Sequence, residues 1–494
     1  MAVTRRHRDG FLGRRLRAVE REGAVVAGIV AVVLCVAACT ASDSAASAPT
    51  QTSSAQDFTP GAAGIGDPYF PTYGNGGYDI ASYDLKLRYN PSTATLSGTA
   101  TITATATQGL SRYDLDLVKL VTSKVTVDGL AAAHTARDDK LVVTPARGIP
   151  RGQKFTTEIT YSGKPTPLEN DGESGRGWLS ATDGGFAVGE PRSASVWFPV
   201  NDHPADKATF RLAMSVPDGL EAISNGRPGP RNSAGGWTTW RWAEDAPMAS
   251  YLALIAIGHY RITTRTHQGK PLVIAIPDSL PADGPAAESL SHTGEVADYL
   301  ATQFGPYPFD AYGGVVLDDD RFGSSMETQS RPVYSSDFFR VEPDTGLVAH
   351  ELAHQWFGDS VSLHRWQDIW LNEGFATYAE WLWAEHEGTA TAQSTFDDLY
   401  TTIDWKVTPG RPGANGILDD TVYDRGAMTL YALRKTIGGT AFTGLLKSWT
   451  TEHRGGNVTT AEFITAAEKA AGGRDLRAFF QAWLYGTTKP PAPS

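Results

Sequence analysis

The spacing of apolar residues divides the chain into three stretches of different character. Residues 23–38 (GAVVAGIVAVVLCVAA) form an uncharged apolar run, preceded by Arg5, Arg6, Arg8, Arg14, Arg15, Arg17 and Arg21. The run is shorter than the ~20 residues that a membrane-spanning helix needs. From about Tyr78 the rhythm has a period of two. Tyr83, Leu85, Leu87 and Tyr89 alternate with Asp84, Lys86 and Arg88, as in a half-buried strand. Residues 99–107 alternate Thr with small apolar residues, and 125–127 and 140–144 add short β runs. Asn90-Pro91, Asp128-Gly129 and Arg147-Gly148 mark turns between them. No helix of useful length is predicted in this stretch. After Tyr260 the character changes again. A short strand at 272–276 precedes a helix at about 286–304, which the sequence FGPYPF (304–309) ends. From Thr345 onward the pattern is helical. Thr459 and Glu462 form a capping box opening a helix through Ala470, and 475–485 is the last helix.

At 494 residues the chain exceeds a single core of ~100–200 residues. The predicted fold class is α+β and multidomain: an all-β domain over 67–262, then a mostly helical domain over 263–489.

The first 66 residues are set apart from both domains. A basic segment followed by a short apolar run is an export signal. It ends in Val36-Ala37-Ala38-Cys39, which resembles a bacterial lipobox, where the Cys becomes the lipidated first residue. Residues 1–38 are therefore expected to be a signal peptide of lipoprotein type, and Cys39 the site of lipidation. Residues 39–66, rich in Ser, Ala and Thr without apolar periodicity, are expected to be a flexible tether. The expected location is the extracellular face of a bacterial cell membrane, or the medium if the signal is simply cleaved. Cys35 and Cys39 are the only cysteines, so the body of the protein can form no internal disulfide. The formal charge is −12, and no block of basic residues occurs after the leader. That excludes a nucleic-acid-binding surface of the usual basic kind.

The chemistry concentrates around residue 350. His350-Glu351-Leu352-Ala353-His354 lies in a helical pattern, so the two imidazoles, four residues apart, share a face and can reach one ion. Glu351 projects beside them, where it can hold and deprotonate a water. A catalytic zinc needs three protein ligands and an open position. Glu373, in Trp370-Leu371-Asn372-Glu373-Gly374-Phe375-Ala376, supplies the third ligand from a second helix that turns back against the first. A third histidine is excluded, because Phe357 and Ser360 occupy the positions where it would fall.

HELAHQWFGD followed by WLNEGFA resembles the aminopeptidase N family of gluzincin zinc metallo-aminopeptidases. FPVNDHPADKATF, FGPYPFD and FFQAWLYGT extend the similarity over about residues 78–489. The resemblance implies a saddle-like β domain followed by a thermolysin-like catalytic domain. It also implies one Zn²⁺ per chain, held by His350, His354 and Glu373, with Glu351 as general base. The family's Gly-x-Met-Glu-Asn motif corresponds to Ser324-Ser325-Met326-Glu327-Thr328, with Ser and Thr in place of Gly and Asn. By resemblance, Met326 and Glu327 bind the substrate, and Glu327 and Glu190 (in Val188-Gly189-Glu190-Pro191) grip its free amine. Tyr423, in VYDRGA, resembles the family tyrosine that donates to the oxyanion. The expected activity is hydrolysis of the N-terminal residue from peptides. The rivals are a zinc endopeptidase with the same metal site and a peptide-binding lipoprotein with a dead one. Many family members carry a further large helical domain; with Ser494 about 120 residues past Glu373, a short form without it is expected.

Overall fold

The computed structural model describes residues 57–168 and 176–493. The leader, Cys39 and the tether up to residue 56 lie outside the described residues. Residues 57–66, expected to belong to the tether, instead join the fold. Thr59–Pro60 pairs in parallel with Leu110–Asp116. The pairing uses backbone groups, which a Ser/Ala/Thr-rich composition leaves available. Gly61 continues the contact, its N–H donating to the Arg112 carbonyl at 2.9 Å.

A nine-stranded sheet dominates the first half, with Lys207–Pro217, Tyr78–Asn90, Thr95–Ala106 and Lys154–Gly163 side by side near its centre. Tyr78–Asn90 shows how composition becomes packing. Its buried side chains are Tyr78 and Ile80, then Tyr83, Leu85, Leu87 and Tyr89, so the inward phase changes once. A register shift between Ile80 and Ser82 inserts the extra residue that changes it. Two four-stranded sheets pack alongside, one containing Gly177–Ala181 and Gly184–Val188. Only single 3₁₀ turns interrupt the strands here among the described residues.

From Tyr260 the strands belong to a different sheet, ordered Tyr260–His267, Lys270–Pro277, Tyr312–Leu317, Val333–Ser335 and Ser325–Met326. Its last strand is a two-residue edge running antiparallel to its neighbour. Helices α1 (Pro285–Ser291) and α2 (Thr293–Phe304) replace the single helix expected over 286–304. They meet at His292, whose N–H bonds back to Ser289 and Leu290. The helical half follows as α3 (Thr345–Ala353), α4 (Trp370–Glu387), α5 (Ala392–Thr402), α6 (Asp420–Ile437), α7 (Gly439–Glu452) and α8 (Thr460–Ala470). The capping box of Thr459 and Glu462 opens α8. The terminal helix is a four-residue α turn (Arg477–Phe480) that widens to π geometry over Gln481–Tyr485.

Every side chain of α3 from Leu347 to Ala353 is buried, as expected of a helix packed on all sides. Asp344 caps it by accepting from Leu347 N–H at 2.8 Å, an interaction worth ~1 kcal/mol. At the far end of α4, Gly388 takes a left-handed φ of 71° and closes the helix.

Candidate active site

His350 lies in the last turn of α3, His354 at its C-cap, and Glu373 in the first turn of α4. The Nε2 atoms of the histidines are 3.2 Å apart, and they lie 3.6 and 3.5 Å from Glu373 Oε2. Corners of a tetrahedron with ~2.0–2.1 Å bonds are separated by about 3.4 Å. The spacing of the three donor atoms therefore fits one face of a tetrahedron, so His350, His354 and Glu373 could hold a zinc ion together. Both remaining ring nitrogens are engaged, which leaves Nε2 of each ring as the nitrogen that could bind an ion. His354 Nδ1 bonds the Phe357 carbonyl at 3.1 Å, and His350 Nδ1 bonds Glu380 Oε1 at 2.5 Å. Glu380 had no motif to announce it. Its one signal was a position two turns beyond Glu373 on the same face of α4.

The electrostatics of the pocket also fit a cation. Although burial favours neutral groups, the two imidazoles hold Glu373 down at about 2. Burial likewise opposes protonation of His354, yet Glu373 and Glu327 carry it up to about 9. These acids call for positive charge, which a divalent ion supplies without protonating the ligands. Glu351 is buried and outside the donor triangle, within 4.8 Å of groups on His354 and Glu327. Burial pushes its carboxyl up to about 7, against the pull of both histidines. A base near neutrality suits proton transfer.

Glu327 follows the edge strand Ser325–Met326 directly, and single carboxylate oxygens of Glu190, Glu327 and Glu373 lie within 4.8 Å of one another. Glu190 is buried, at the end of the hairpin formed by Gly177–Ala181 and Gly184–Val188. Met326 is buried and pairs with Val333. The departures at 324 and 328 are absorbed locally. Ser324 gives its carbonyl to Ser335 N–H, as strand pairing requires of any residue. Thr328 Oγ1 donates to the Arg331 carbonyl at 2.6 Å, closing the turn that follows Glu327. Gln355 holds this segment from α3's end, donating to the Glu327 carbonyl at 3.0 Å and accepting from Ser330 N–H at 2.6 Å.

Tyr423, in the first turns of α6, lies with its ring 6.1 Å from that of His350 and nearly parallel to it. Burial, and then the four surrounding glutamates, push the phenol well above its ordinary value, so it stays a hydrogen-bond donor. A glycine pair brings it so close. At the crossing of α4 and α6, a Cβ on Gly426 would lie 2.7 Å from Gly374 Cα. Gly374 is one residue past the ligand Glu373, and Gly426 three past Tyr423.

The family model for the peptidase family M1 domain matches residues 288–483, and that for the peptidase M1 N-terminal domain matches 80–252. An M1 zinc metallopeptidase of Deinococcus radiodurans is 30% identical, with a TM-score of 0.81, covering 87% of this chain and 99% of its own. A variant of that enzyme bound to a Tyr-Ser-Ala substrate aligns with a TM-score of 0.80 and 30% identity, covering 87% of this chain and 99% of its own. The chain belongs to the M1 family of zinc metallopeptidases, the aminopeptidase N family. Aminopeptidase N of Streptomyces lividans is 26% identical over 82% of this chain and 50% of its own length. Glutamyl aminopeptidase of Sus scrofa is 29% identical over 57% of this chain and 32% of its own length. The chain thus spans half or less of the length of these curated relatives.

Proposed function

We propose that the protein is a zinc-dependent aminopeptidase that hydrolyses the first peptide bond of substrates with a free N-terminus. The carrying observation is the convergence of Glu190 and Glu327 on Glu373. Two carboxylates beside the metal-binding triangle form a receptacle for an ammonium one residue from the scissile bond. Zinc held by His350, His354 and Glu373 would supply Lewis acidity for the peptide carbonyl and for the attacking water. Glu351 takes the proton from the attacking water and returns it to the leaving amine. The Tyr423 hydroxyl donates to the oxygen that gains charge as the carbonyl carbon becomes tetrahedral. Glu190 and Glu327 hold the α-ammonium and set the position of the cut.

Charge-assisted contacts of this kind are worth ~1.5–3 kcal/mol, or roughly 10- to 150-fold in rate. Glu327→Ala is expected to lower kcat/KM for a free-amine aminoacyl chromogenic substrate by that order, with zinc content unchanged. The native enzyme should leave the N-acetylated form of the same substrate nearly intact. Equal rates on the free and acetylated forms would replace the aminopeptidase reading with an endopeptidase one.

We further propose that the protein is exported and anchored through lipidated Cys39, on the basis of the Arg-rich leader and the Val-Ala-Ala-Cys sequence. One myristoyl-sized chain binds membranes only marginally, with K on the order of 10⁴ M⁻¹, so several chains are needed for stable anchoring. Mass spectrometry of the mature N-terminus should find an acylated Cys39 in the membrane fraction. An unmodified N-terminus elsewhere, on protein free in the medium, would reject the anchor.

A further inference from the structure

Glu327 is a buried carboxylate whose usefulness depends on where its two oxygens point. The segment that follows it is held from several directions. Asn225 Nδ2 donates to the carbonyls of Leu252 and Gln329, both at 2.9 Å, joining the turn after residue 249 to the segment after Glu327. Gly226 N–H donates to Ser330 Oγ at 2.7 Å, and Arg331 donates to the Ser224 and Gly226 carbonyls. The side chain itself receives one hydrogen bond from across the same junction. Tyr251 Oη donates to Glu327 Oε1 at 3.1 Å.

Tyr251 is set rigidly enough to hold a partner in place. It sits in the 3₁₀ turn Ser250–Leu252, with 1% of its surface exposed. Ser250 Oγ anchors that turn to Asp202 at 2.8 Å, and Leu254 N–H donates to Asn225 Oδ1 at 2.7 Å. The Tyr251 ring packs edge-on to Trp366, with centroids 5.2 Å apart. The Trp366 backbone is tied down in turn, its main-chain N–H donating to Asp67 Oδ2 at 2.9 Å. The hydroxyl therefore approaches Glu327 from a turn of the β half, with Trp366 of the helical half packed against its ring.

We propose that Tyr251 is a positioning residue for recognition of the substrate amine. It fixes one oxygen of Glu327 so that the other stays directed at the α-ammonium, and it makes amine binding depend on the packing of the two halves. The inference rests on the aminopeptidase reading of Glu327. A carboxylate released from this bond would be free to turn within its pocket and would present a less defined geometry to the ammonium.

Tyr251→Phe removes the hydroxyl and keeps the ring against Trp366. In the zinc-loaded enzyme, KM for a free-amine aminoacyl substrate should rise about tenfold while kcat stays within about twofold. Calorimetric titration with L-arginine, a free amino acid, should show a similar loss of affinity at unchanged zinc content. The double variant Tyr251→Phe/Glu327→Gln should bind L-arginine no more weakly than Glu327→Gln alone, since Tyr251 acts through Glu327. If Glu327→Gln weakens L-arginine and Tyr251→Phe does not, or if the two effects add, the positioning role is overturned and the amine site stands. If Glu327→Gln leaves L-arginine affinity unchanged, the amine site falls and the role of Tyr251 falls with it.

Discussion

Glu351→Gln is expected to lower kcat on a free-amine aminoacyl substrate by roughly 10²–10⁴ while the zinc content stays at one per chain. The side chain is not one of the three donors on His350, His354 and Glu373, so the substitution leaves that set intact. Glutamine is nearly isosteric and fills the same buried space, which removes packing loss as an explanation for a lost rate. What it cannot do is accept a proton from the attacking water and pass it to the leaving amine. Free L-arginine should still bind, because Glu190 and Glu327 remain. Near wild-type turnover in this variant, with zinc verified by elemental analysis, would show that another group is the base.

The convergence of His350, His354 and Glu373 is legible in the sequence because helix geometry brings these donors together. His350 and His354 are one turn apart, and Glu373 opens the next long helix, so local rules sufficed. Glu327 and Tyr423 came through resemblance to a family rather than through spacing. Glu380 and Tyr251 were out of reach for a physical reason. Glu380 acts on His350 across the packing of two helices, and Tyr251 reaches Glu327 from 76 residues earlier in the chain. Spacing puts Glu380 on the face of Glu373 without showing that it meets His350, and no local pattern announces Tyr251. In the fold, alternation located the strand at Tyr78–Asn90 but gave no warning of the bulge that changes its inward phase. The 57–66 segment was misjudged because low hydrophobicity says little about backbone pairing.

Tyr423→Phe should lower kcat by about 10²–10³ with KM little changed, because an oxyanion donor acts only as charge develops. The geometry supports such a transition-state role. Arg425, two residues further along α6, donates to the carbonyls of Trp405, Val407, Ala482, Trp483 and Gly486. That network locks the rotation of α6, and the Gly374–Gly426 contact sets its distance from α4. The backbone that carries Tyr423 is thus held without help from substrate, and loss of the hydroxyl should leave the fold intact. Phenylalanine retains the ring next to His350, so zinc content and L-arginine affinity should match the native enzyme. A variant that lost affinity for L-arginine in proportion to its rate would mean that Tyr423 binds the ground state. Its assignment to the oxyanion would then be wrong.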